Sequence, residues 1–345
     1  MRLCELAGGR RIGYLVALQV VAKTHSELSK VIRIENNPDI SVIIVNYNGG
    51  QDIIDCLESL QTSQANASLE IIVVDNDSTD GSTERIKSQF ESVRIIELGE
   101  NRGFAAACNV GIEAANSNTI LLLNPDTLVV DDAIGKMYRA LVQHPNWGVV
   151  GARMLNAEGV PYRAARRFPT PLAMAFTAIG LAKLFPSSQL FNGYLYGERR
   201  IESLDDVDQI EGSCLMISET ARKAVGDLDD KFFIFFEEVD WCKRVKAAGF
   251  EIHIVNDAEV IHKVSTTMGR YYEFTRKIHA QSAMKFFRKY EGETGYNAIR
   301  NKMKNALLIR AVVLALPALF NIGGARKRLT GTLAERRTYI EGLSA

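Results

Sequence analysis

The chain has 345 residues, of which 47% are hydrophobic and 24% are charged. These proportions are ordinary for a globular protein with a substantial core, and they exclude a disordered or fibrous chain. Acidic and basic residues are equal in number, 41 of each, so the net charge is zero and we expect no nucleic-acid partner. The five cysteines are scattered without a Cys-x-x-Cys pair, which favours a reducing, cytoplasmic compartment over a zinc site or a disulfide framework.

The two ends of the chain differ from its middle. Residues 1–38 combine Arg10-Arg11 with a short apolar run but show no clear cleavage site, so we interpret them as an accessory extension. The tail, residues 269–345, is basic, with 14 Lys and Arg against 5 Asp and Glu from residue 272 onward. It contains the apolar run 306–320, which is shorter than the roughly 20 residues that span a bilayer. The tail therefore predicts a helix lying on an anionic membrane surface, and the alternative is a helix packed on its own domain.

From Ile40 onward, short apolar runs alternate with helical patterns. Strands are predicted at 41–45, 71–74, 93–96, 120–123 and 149–152, and helices at 52–60, 83–90, 104–115 and 131–143. Such alternation is typical of a parallel sheet covered on both faces. We therefore predict an α/β fold with a doubly wound, mostly parallel sheet, whose nucleotide-binding half spans residues 39–150. No Gly-x-Gly-x-x-Gly follows the first strand and no P-loop motif occurs, which disfavours a dinucleotide dehydrogenase or a P-loop enzyme.

The regular alternation stops after Gly151. Residues 160–208 contain four prolines, the pair Arg166-Arg167 and the apolar stretch 172–185. This composition predicts a lid over a site, inside an acceptor-binding and catalytic half that spans residues 151–268.

Asp126 follows the apolar strand 120–123 and the turn residues Asn124-Pro125. In open α/β sheets, ligands bind in the crevice beyond the carboxyl ends of the strands. A carboxylate there suits Mg²⁺ or Mn²⁺, with substrate phosphates completing the coordination. The alternative is an ordinary aspartate that caps the next helix. His262 follows another strand and is a candidate second ligand, although a single histidine at a strand end is more often structural.

Two polar segments follow other strands. Asp75 ends the strand 71–74, where it can accept a hydrogen bond from a nucleobase, and Asp77 can bind a ribose hydroxyl. The alternative is a plain turn built by Asx and Ser/Thr side chains. Asn101 and Gly103 open the helix 104–115, whose N-terminus favours a phosphate and whose glycine allows close backbone approach.

The segment 232–244 runs from aromatic residues into three acids, Glu237, Glu238 and Asp240. A carboxylate beside an apolar wall is partly desolvated, which raises its pKa towards the range of a general base. Because successive helical positions point about 100° apart, Glu237 and Glu238 have different roles. Alternatively, the three acids only stabilise the helix. They complement the dipole at its N-terminus, and Asp240 pairs with Arg244.

The order of these segments resembles glycosyltransferase family 2, and in particular bacterial rhamnosyltransferase-like enzymes of cell-surface polysaccharide synthesis. The resemblance covers residues 40–265 and rests on the segments 42–48, 73–82, 101–105, 121–127, 211–216, 232–244 and 260–262. It implies a type A glycosyltransferase fold and inverting transfer of a sugar from a nucleotide diphosphate, most commonly dTDP-rhamnose. It also implies a lipid-linked or polysaccharide acceptor at the inner face of the cell membrane.

The resemblance also implies residue roles. Glu238 would be the catalytic base, one methylene longer than the family's usual Asp, and Asp126 and His262 would bind Mg²⁺ or Mn²⁺. Asn124 replaces the first Asp of the family's usual Asp-x-Asp. The implied donor-binding residues are Val45, Tyr47, Asp75, Asp77, Asn101, Gly103 and Asn124. The implied acceptor-side residues are Glu237, Asp240, Arg166 and Arg167.

Two alternatives compete with an active transferase. The first is a catalytically silent nucleotide-sugar-binding scaffold subunit of a polysaccharide assembly complex. The presence of Asp126, His262 and a carboxylate at position 238 argues against it. The second is a nucleotidyltransferase, which would need a Gly- and Lys-rich triphosphate loop after the first strand. The sequence leaves the oligomeric state open.

Overall fold

The computed structural model describes residues 37–63, 66–196, 206–263, 272–320 and 322–343. The predicted accessory extension, residues 1–38, lies outside these ranges except for its last two residues. The same holds for residues 197–205 of the predicted lid.

A single eight-stranded sheet forms the centre of the fold, in the strand order β3-β2-β1-β4-β9-β6-β10-β5. A separate two-stranded ladder joins β7 to β8. The strands are Ile40–Asn46 (β1), Leu69–Asp75 (β2), Arg94–Glu97 (β3), Ile120–Leu123 (β4), Thr127–Val129 (β5), Trp147–Leu155 (β6), Ala165–Arg166 (β7), Gln209–Ile210 (β8), Cys214–Ile217 (β9) and Glu251–His262 (β10).

Helices cover both faces of this sheet, which is why its central strands are apolar throughout. Every residue of β1 and of β4 is buried, and apolar clusters pack on the two faces. The predicted α/β fold with a mostly parallel sheet is therefore confirmed. The helices are Gly50–Thr62 (α1), Ser82–Gln89 (α2), Phe104–Ala114 (α3), Ala133–Gln143 (α4), Pro171–Ala178 (α5), Leu181–Leu184 (α6), Glu219–Val225 (α7), Glu237–Ala247 (α8), Tyr272–Leu319 (α9) and Ala325–Glu341 (α10).

Two strands run against the others. β9 lies antiparallel between β4 and β6, and β5 pairs antiparallel with β10 at the sheet edge. The second pairing places His262 directly opposite Thr127, the residue after Asp126. Residues that are 136 positions apart in the printed sequence thereby meet at one edge of the sheet.

The predicted lid is partly regular. β7 and β8 tie its two ends together through the pairs Ala165–Ile210 and Arg166–Gln209. Between them, α5 begins after Thr170, whose side-chain oxygen accepts a hydrogen bond from the backbone N–H of Ala173. Such N-caps satisfy a donor that the first helical turn leaves unpaired.

The tail consists of α9 and α10, which pack on each other and on the rest of the chain. Helix α9 is interrupted at Gly292, whose φ of 63° is outside the helical range. Side chains of α9 form an apolar cluster with Phe232, Phe236 and Val239. The tail is thus packed on the domain along one face, as the alternative reading held. Within the described ranges, no helix combines the length and the apolar content needed to cross a membrane.

Candidate active site

A cavity of about 720 Å³ opens at the carboxyl ends of β1 and β4, where the sheet topology predicts a ligand. A volume of this size suits a molecule as large as a nucleotide sugar. Ten of the residues singled out by the sequence line it: Val45, Tyr47, Asn101, Gly103, Asn124, Asp126, Arg166, Glu237, Glu238 and His262.

Asp126 and His262 are adjacent on one side of the cavity. His262 Nε2 lies 3.2 Å from Asp126 Oδ1. The turn between β4 and β5 holds the aspartate, because the Thr127 N–H and hydroxyl both donate to the Asn124 carbonyl. The Lys263 N–H donates to the carbonyl of Asp126 over 2.9 Å and fixes the same turn from the other strand.

Behind His262 lies a polar group that orients the imidazole. Tyr162 Oη donates to Glu211 Oε1 and lies 2.9 Å from His262 Nδ1. Because the tyrosine proton goes to Glu211, the tyrosine oxygen is left to accept from Nδ1–H, and Nε2 points to Asp126. The hydroxyl of Ser213 also donates to Glu211, and the Arg166 guanidinium lies 3.4 Å from its other oxygen.

The charges of this group support one another. Burial disfavours the charged form of His262, but hydrogen bonds and charges from Asp126 and Glu211 outweigh it and raise its pKa to about 9. Burial likewise opposes the charge of Glu211, but its bond to His262 and the charge of Arg166 lower its pKa. The carboxylates of Asp126 and Glu211 therefore favour positive charge on this side of the cavity.

The opposite side carries Glu237 and Glu238 at the first turn of α8. Oε2 of each carboxyl is buried and has no hydrogen-bond partner among the described residues. Burial raises the pKa of both, and the charge of Glu238 raises that of Glu237 further. Arg166 acts in the opposite direction on Glu238 and limits its rise. Buried carboxyls without partners are rare outside functional sites.

The predicted aromatic wall is present, since Phe233, Ile234 and Phe235 line the cavity. A Cβ at Gly103 would lie 2.4 Å from the Phe233 carbonyl oxygen, so the glycine permits contact between two loops of the protein itself. The backbone N–H of Phe104 donates to that same carbonyl. From the tail, Phe274 of α9 joins this wall, with its ring edge-on to Phe233.

Asp75 and Asp77 are not among the lining residues. The Asp75 carboxylate is buried and accepts hydrogen bonds from the Asn46 amide, the Thr83 hydroxyl and the Ser78 N–H. It thus ties β2 to its own turn, as the plain-turn alternative described. Asp77 is exposed at a φ of 73°. Between them, Asn76 lines the cavity and bonds to Asn101.

Two of the expected acceptor-side residues make other contacts in the structure. Arg167 does not line the cavity, because its guanidinium lies over the Tyr196 ring. Asp240 is fully buried and accepts hydrogen bonds from Tyr290 and Arg244. Its other cationic partner, Lys289, lies 2.5 Å away, so Asp240 anchors α8 to α9.

A divalent ion fits the side that carries Asp126 and His262. Mg²⁺ and Mn²⁺ accept one or two protein ligands when substrate phosphates supply the others. Among the described residues, no group of three His, Cys, Asp or Glu side chains converges as a metal site. Asp126 and His262, a carboxylate and an imidazole 3.2 Å apart beside the cavity, can supply two protein ligands to such an ion.

Sequence reasoning did not assign Glu211, Tyr162, Asn76 or Phe274 to the site. Glu211 begins the segment 211–216, one of those on which the resemblance rests, but the resemblance implied no role for it. Phe274 lies outside the segment covered by the resemblance. The local signal for Asn76 is its place between Asp75 and Asp77.

Comparison with known proteins identifies the family. Residues 41–201 match the family model "Glycosyl transferase family 2". The chain is 30% identical over 237 residues to the low-salt glycan biosynthesis hexosyltransferase Agl10 of Haloferax volcanii, covering 68% of this chain and 70% of that protein. The chain belongs to glycosyltransferase family 2. The resemblance drawn from its motifs is confirmed.

Two further comparisons give a second relative and a solved structure of similar fold. The chain is 25% identical over 291 residues to the N-acetylglucosaminyl-diphospho-decaprenol L-rhamnosyltransferase of Mycobacterium tuberculosis, covering 81% of this chain and 94% of that protein. The structure of the mannosyltransferase PcManGT from Pyrobaculum calidifontis, in complex with GDP-Man and Mn²⁺, superposes with a TM-score of 0.54 at 16% identity. That match covers 88% of this chain and 87% of the other, and it shows the type A fold.

Proposed function

We propose that this family-2 glycosyltransferase is an inverting, metal-dependent enzyme that transfers rhamnose from dTDP-rhamnose to a lipid-linked or polysaccharide acceptor in cell-surface glycan synthesis. The observation that carries the proposal is the pairing of two unlike groups around one cavity. Asp126 and His262 form a site for positive charge, and Glu238 presents an unpartnered buried carboxyl oxygen.

The donor would bind where the polar residues at the strand ends meet the N-terminus of α3. Val45 and Tyr47 follow β1, Asn101 and Gly103 precede α3, and Asn124 follows β4. Helix N-termini attract phosphate groups through unpaired N–H groups and the helix dipole. Asp75 and Asp77 would act on the nucleoside part of the donor. Asp75 would do so indirectly, because it fixes the turn beside Asn76, which lines the cavity.

Mg²⁺ or Mn²⁺, held by Asp126, His262 and the donor diphosphate, would stabilise the charge that develops on the leaving group. His262 would bind the ion in its neutral form, with Tyr162 holding the Nδ1–H and the ion displacing the proton from Nε2. The Mn²⁺ in the mannosyltransferase structure is consistent with this choice of ion.

Glu238 would take the proton of the acceptor hydroxyl as the oxygen attacks C1 of the sugar. The bond from C1 to the phosphate oxygen breaks on the opposite face, so one displacement inverts the anomeric centre and releases the nucleoside diphosphate. Burial supports this role because it raises the pKa of Glu238 towards the pH at which a general base works best. Glu237 and Arg166, which also line the cavity, would position the acceptor.

The names of relatives support the choice of substrates. The Mycobacterium tuberculosis relative is a rhamnosyltransferase whose acceptor is a diphospho-decaprenol sugar.

We place the reaction in the cytoplasm, at the inner face of the cell membrane. The four described cysteines are buried free thiols, which suits a reducing compartment.

The test is a transfer assay with dTDP-rhamnose, UDP-sugars and GDP-sugars, using a prenyl-diphosphate sugar as the acceptor and Mn²⁺ or Mg²⁺. The proposal predicts transfer from dTDP-rhamnose, loss of activity with a chelator, and inversion at the anomeric carbon in the product's NMR spectrum. Retention of configuration would contradict the single displacement. Nucleotide binding without any turnover would instead support the scaffold alternative.

A further inference from the structure

The last turns of α9 expose an apolar face that covers no other part of the described protein. Six large side chains on this face are 47–68% exposed, and Phe320, just after the helix, is 73% exposed. We call the following residues the apolar stripe: Leu308, Ile309, Val312, Val313, Leu316 and Leu319.

Helical geometry places the apolar stripe on one side of α9. At 100° per residue its six positions fall within an arc of about 140°, over a length of about 16 Å. The other side is occupied, since Leu307 and Ala311 are buried and Arg310 Nη1 donates to the Ala178 carbonyl of α5. Arg310, the only charged residue between 308 and 320, therefore points away from the apolar stripe. Exposed apolar surfaces of this extent mark interaction sites.

The sequence on both sides of the apolar stripe is basic. From residue 294 to residue 334 the sequence has seven Lys and Arg and no Asp or Glu. Lys302 is exposed before the stripe, and Arg326, Lys327 and Arg328 are exposed after it. Arg326 donates to the carbonyls of Ala318 and Leu319 and so holds the second basic segment against the end of the stripe.

We propose that the apolar stripe docks on an anionic lipid surface, with the part of α9 after Gly292 lying in the plane of the interface. An apolar face flanked by basic residues is the arrangement of interfacial helices, whose apolar side chains enter the headgroup boundary while Lys and Arg pair with lipid phosphates. A second copy of the chain fits less well, because a symmetric pairing of this face would bring the like charges of both copies together.

Docking at this place would serve the proposed function. The part of α9 before Gly292 lines the cavity with Phe274 and Thr275, and the part after Gly292 carries the apolar stripe. A protein held by the second part is fixed to the membrane through the segment that directly follows a wall of its own active site. This consequence rests on the proposed lipid-linked acceptor, whereas the docking itself does not.

The test is co-sedimentation of the full chain with vesicles of phosphatidylcholine, with or without roughly 30% phosphatidylglycerol. We expect binding to the anionic vesicles, weakened on neutral vesicles and at high salt. The double variant Val312→Asp/Leu316→Asp is expected to lose at least about tenfold in partitioning, because two charged groups would enter the interface. Val142→Asp is the matched control, since Val142 is a 62% exposed valine on α4, and it should bind like the wild type.

Two further measurements keep the result interpretable. The unfolding midpoints of both variants should match the wild type, because all three side chains are exposed. In a separate Phe320→Trp variant, the tryptophan emission should shift to shorter wavelength when anionic vesicles are added.

Equal vesicle binding by the double variant and the wild type would overturn the proposal, as would no binding by the wild type. Concentration-dependent self-association that the double variant abolishes, without vesicle binding, would assign the stripe to a second copy and also overturn it. Nucleotide titration on the same samples separates the two proposals. Vesicle binding without nucleotide binding would defeat only the proposed function, and the reverse result would defeat only the docking.

Discussion

The two sides of the cavity use their acids differently. On one side, Asp126 pairs with His262, and Glu211 has partners for both of its oxygens. On the other side, Glu237 and Glu238 each have one buried oxygen with no hydrogen-bond partner among the described residues. An acid with partners on both oxygens is held in place and stays charged, whereas an acid whose burial outweighs its hydrogen bonds is disposed to take up a proton. In the proposed mechanism, this difference separates the side that binds the charged donor from the side that accepts a proton.

The largest expected effect comes from removing the proposed proton acceptor. Glu238→Gln keeps the size of the side chain but cannot take up the acceptor proton, so kcat should fall by about 10²–10⁴-fold. Glu237→Gln is the matched control on the same helical turn, and it should act mainly on KM for the acceptor. Steady-state kinetics with both variants make the comparison. If Glu237→Gln removes turnover and Glu238→Gln does not, the roles of the two acids are reversed.

Asp240 is the third acid of the same turn, and its charge is fully partnered. Asp240→Ala should lower the free energy of unfolding by about 3 kcal/mol, because it removes the buried carboxylate that Tyr290, Arg244 and Lys289 share. The value is at the lower end of the usual range since Arg244 and Lys289 keep some solvent access. Denaturant unfolding measures it, and kcat per folded molecule should be unchanged. A loss of kcat with full stability would restore Asp240 to the acceptor site.

A substitution at Glu211 perturbs the side of the cavity that carries Asp126 and His262 and leaves both proposed metal ligands in place. Glu211→Gln disturbs the group that fixes the His262 ring, so the Mn²⁺ concentration for half-maximal activity should rise by about tenfold. At saturating Mn²⁺, kcat should recover. Tyr162→Phe should show the same pattern, because it removes the acceptor of Nδ1–H. An effect on kcat that excess Mn²⁺ does not rescue would mean that Glu211 acts in the chemical step.

The smallest expected effect is on the pH profile. Burial raises the pKa of Glu238 above the ordinary 4.5, and Arg166 limits that rise. Because the base must be ionised, activity should fall as the pH drops through this raised pKa. Arg166→Met removes the opposing charge, so the acidic limb of kcat/KM should move to higher pH and the activity near pH 6 should fall a few-fold. An acidic limb that does not move would contradict the assignment of the limb to Glu238.

The sequence predicted the elements well where a local pattern exists. β1 and β4 are buried on both faces, so their continuous apolar runs indicated them directly, and the acid after β4 indicated the crevice. The sequence predicts that His262 and Asp126 both lie beyond strand ends in the same crevice, but it does not predict how the two strands pair. Their approach depends on the antiparallel register of β5 and β10, which no local pattern specifies.

Long-range packing explains the rest. Asp240 looked like an acceptor ligand because it shares a turn with Glu238, yet its partners Lys289 and Tyr290 lie about fifty residues later in a segment with no recognisable motif. The sequence of the apolar tail run fits both a helix on a membrane surface and a helix packed on its own domain. The described structure has one face of α9 packed and the other exposed, so only the exposed face is left for the interfacial reading.

The most direct test of the two-sided account is calorimetric titration of dTDP into the wild type, Asp126→Asn and Glu238→Gln, each with and without Mn²⁺. The account predicts Mn²⁺-dependent binding by the wild type, undiminished binding by Glu238→Gln, and loss of the Mn²⁺ dependence in Asp126→Asn. Equal Mn²⁺-dependent binding by Asp126→Asn and the wild type would contradict the division of labour between the two sides of the cavity.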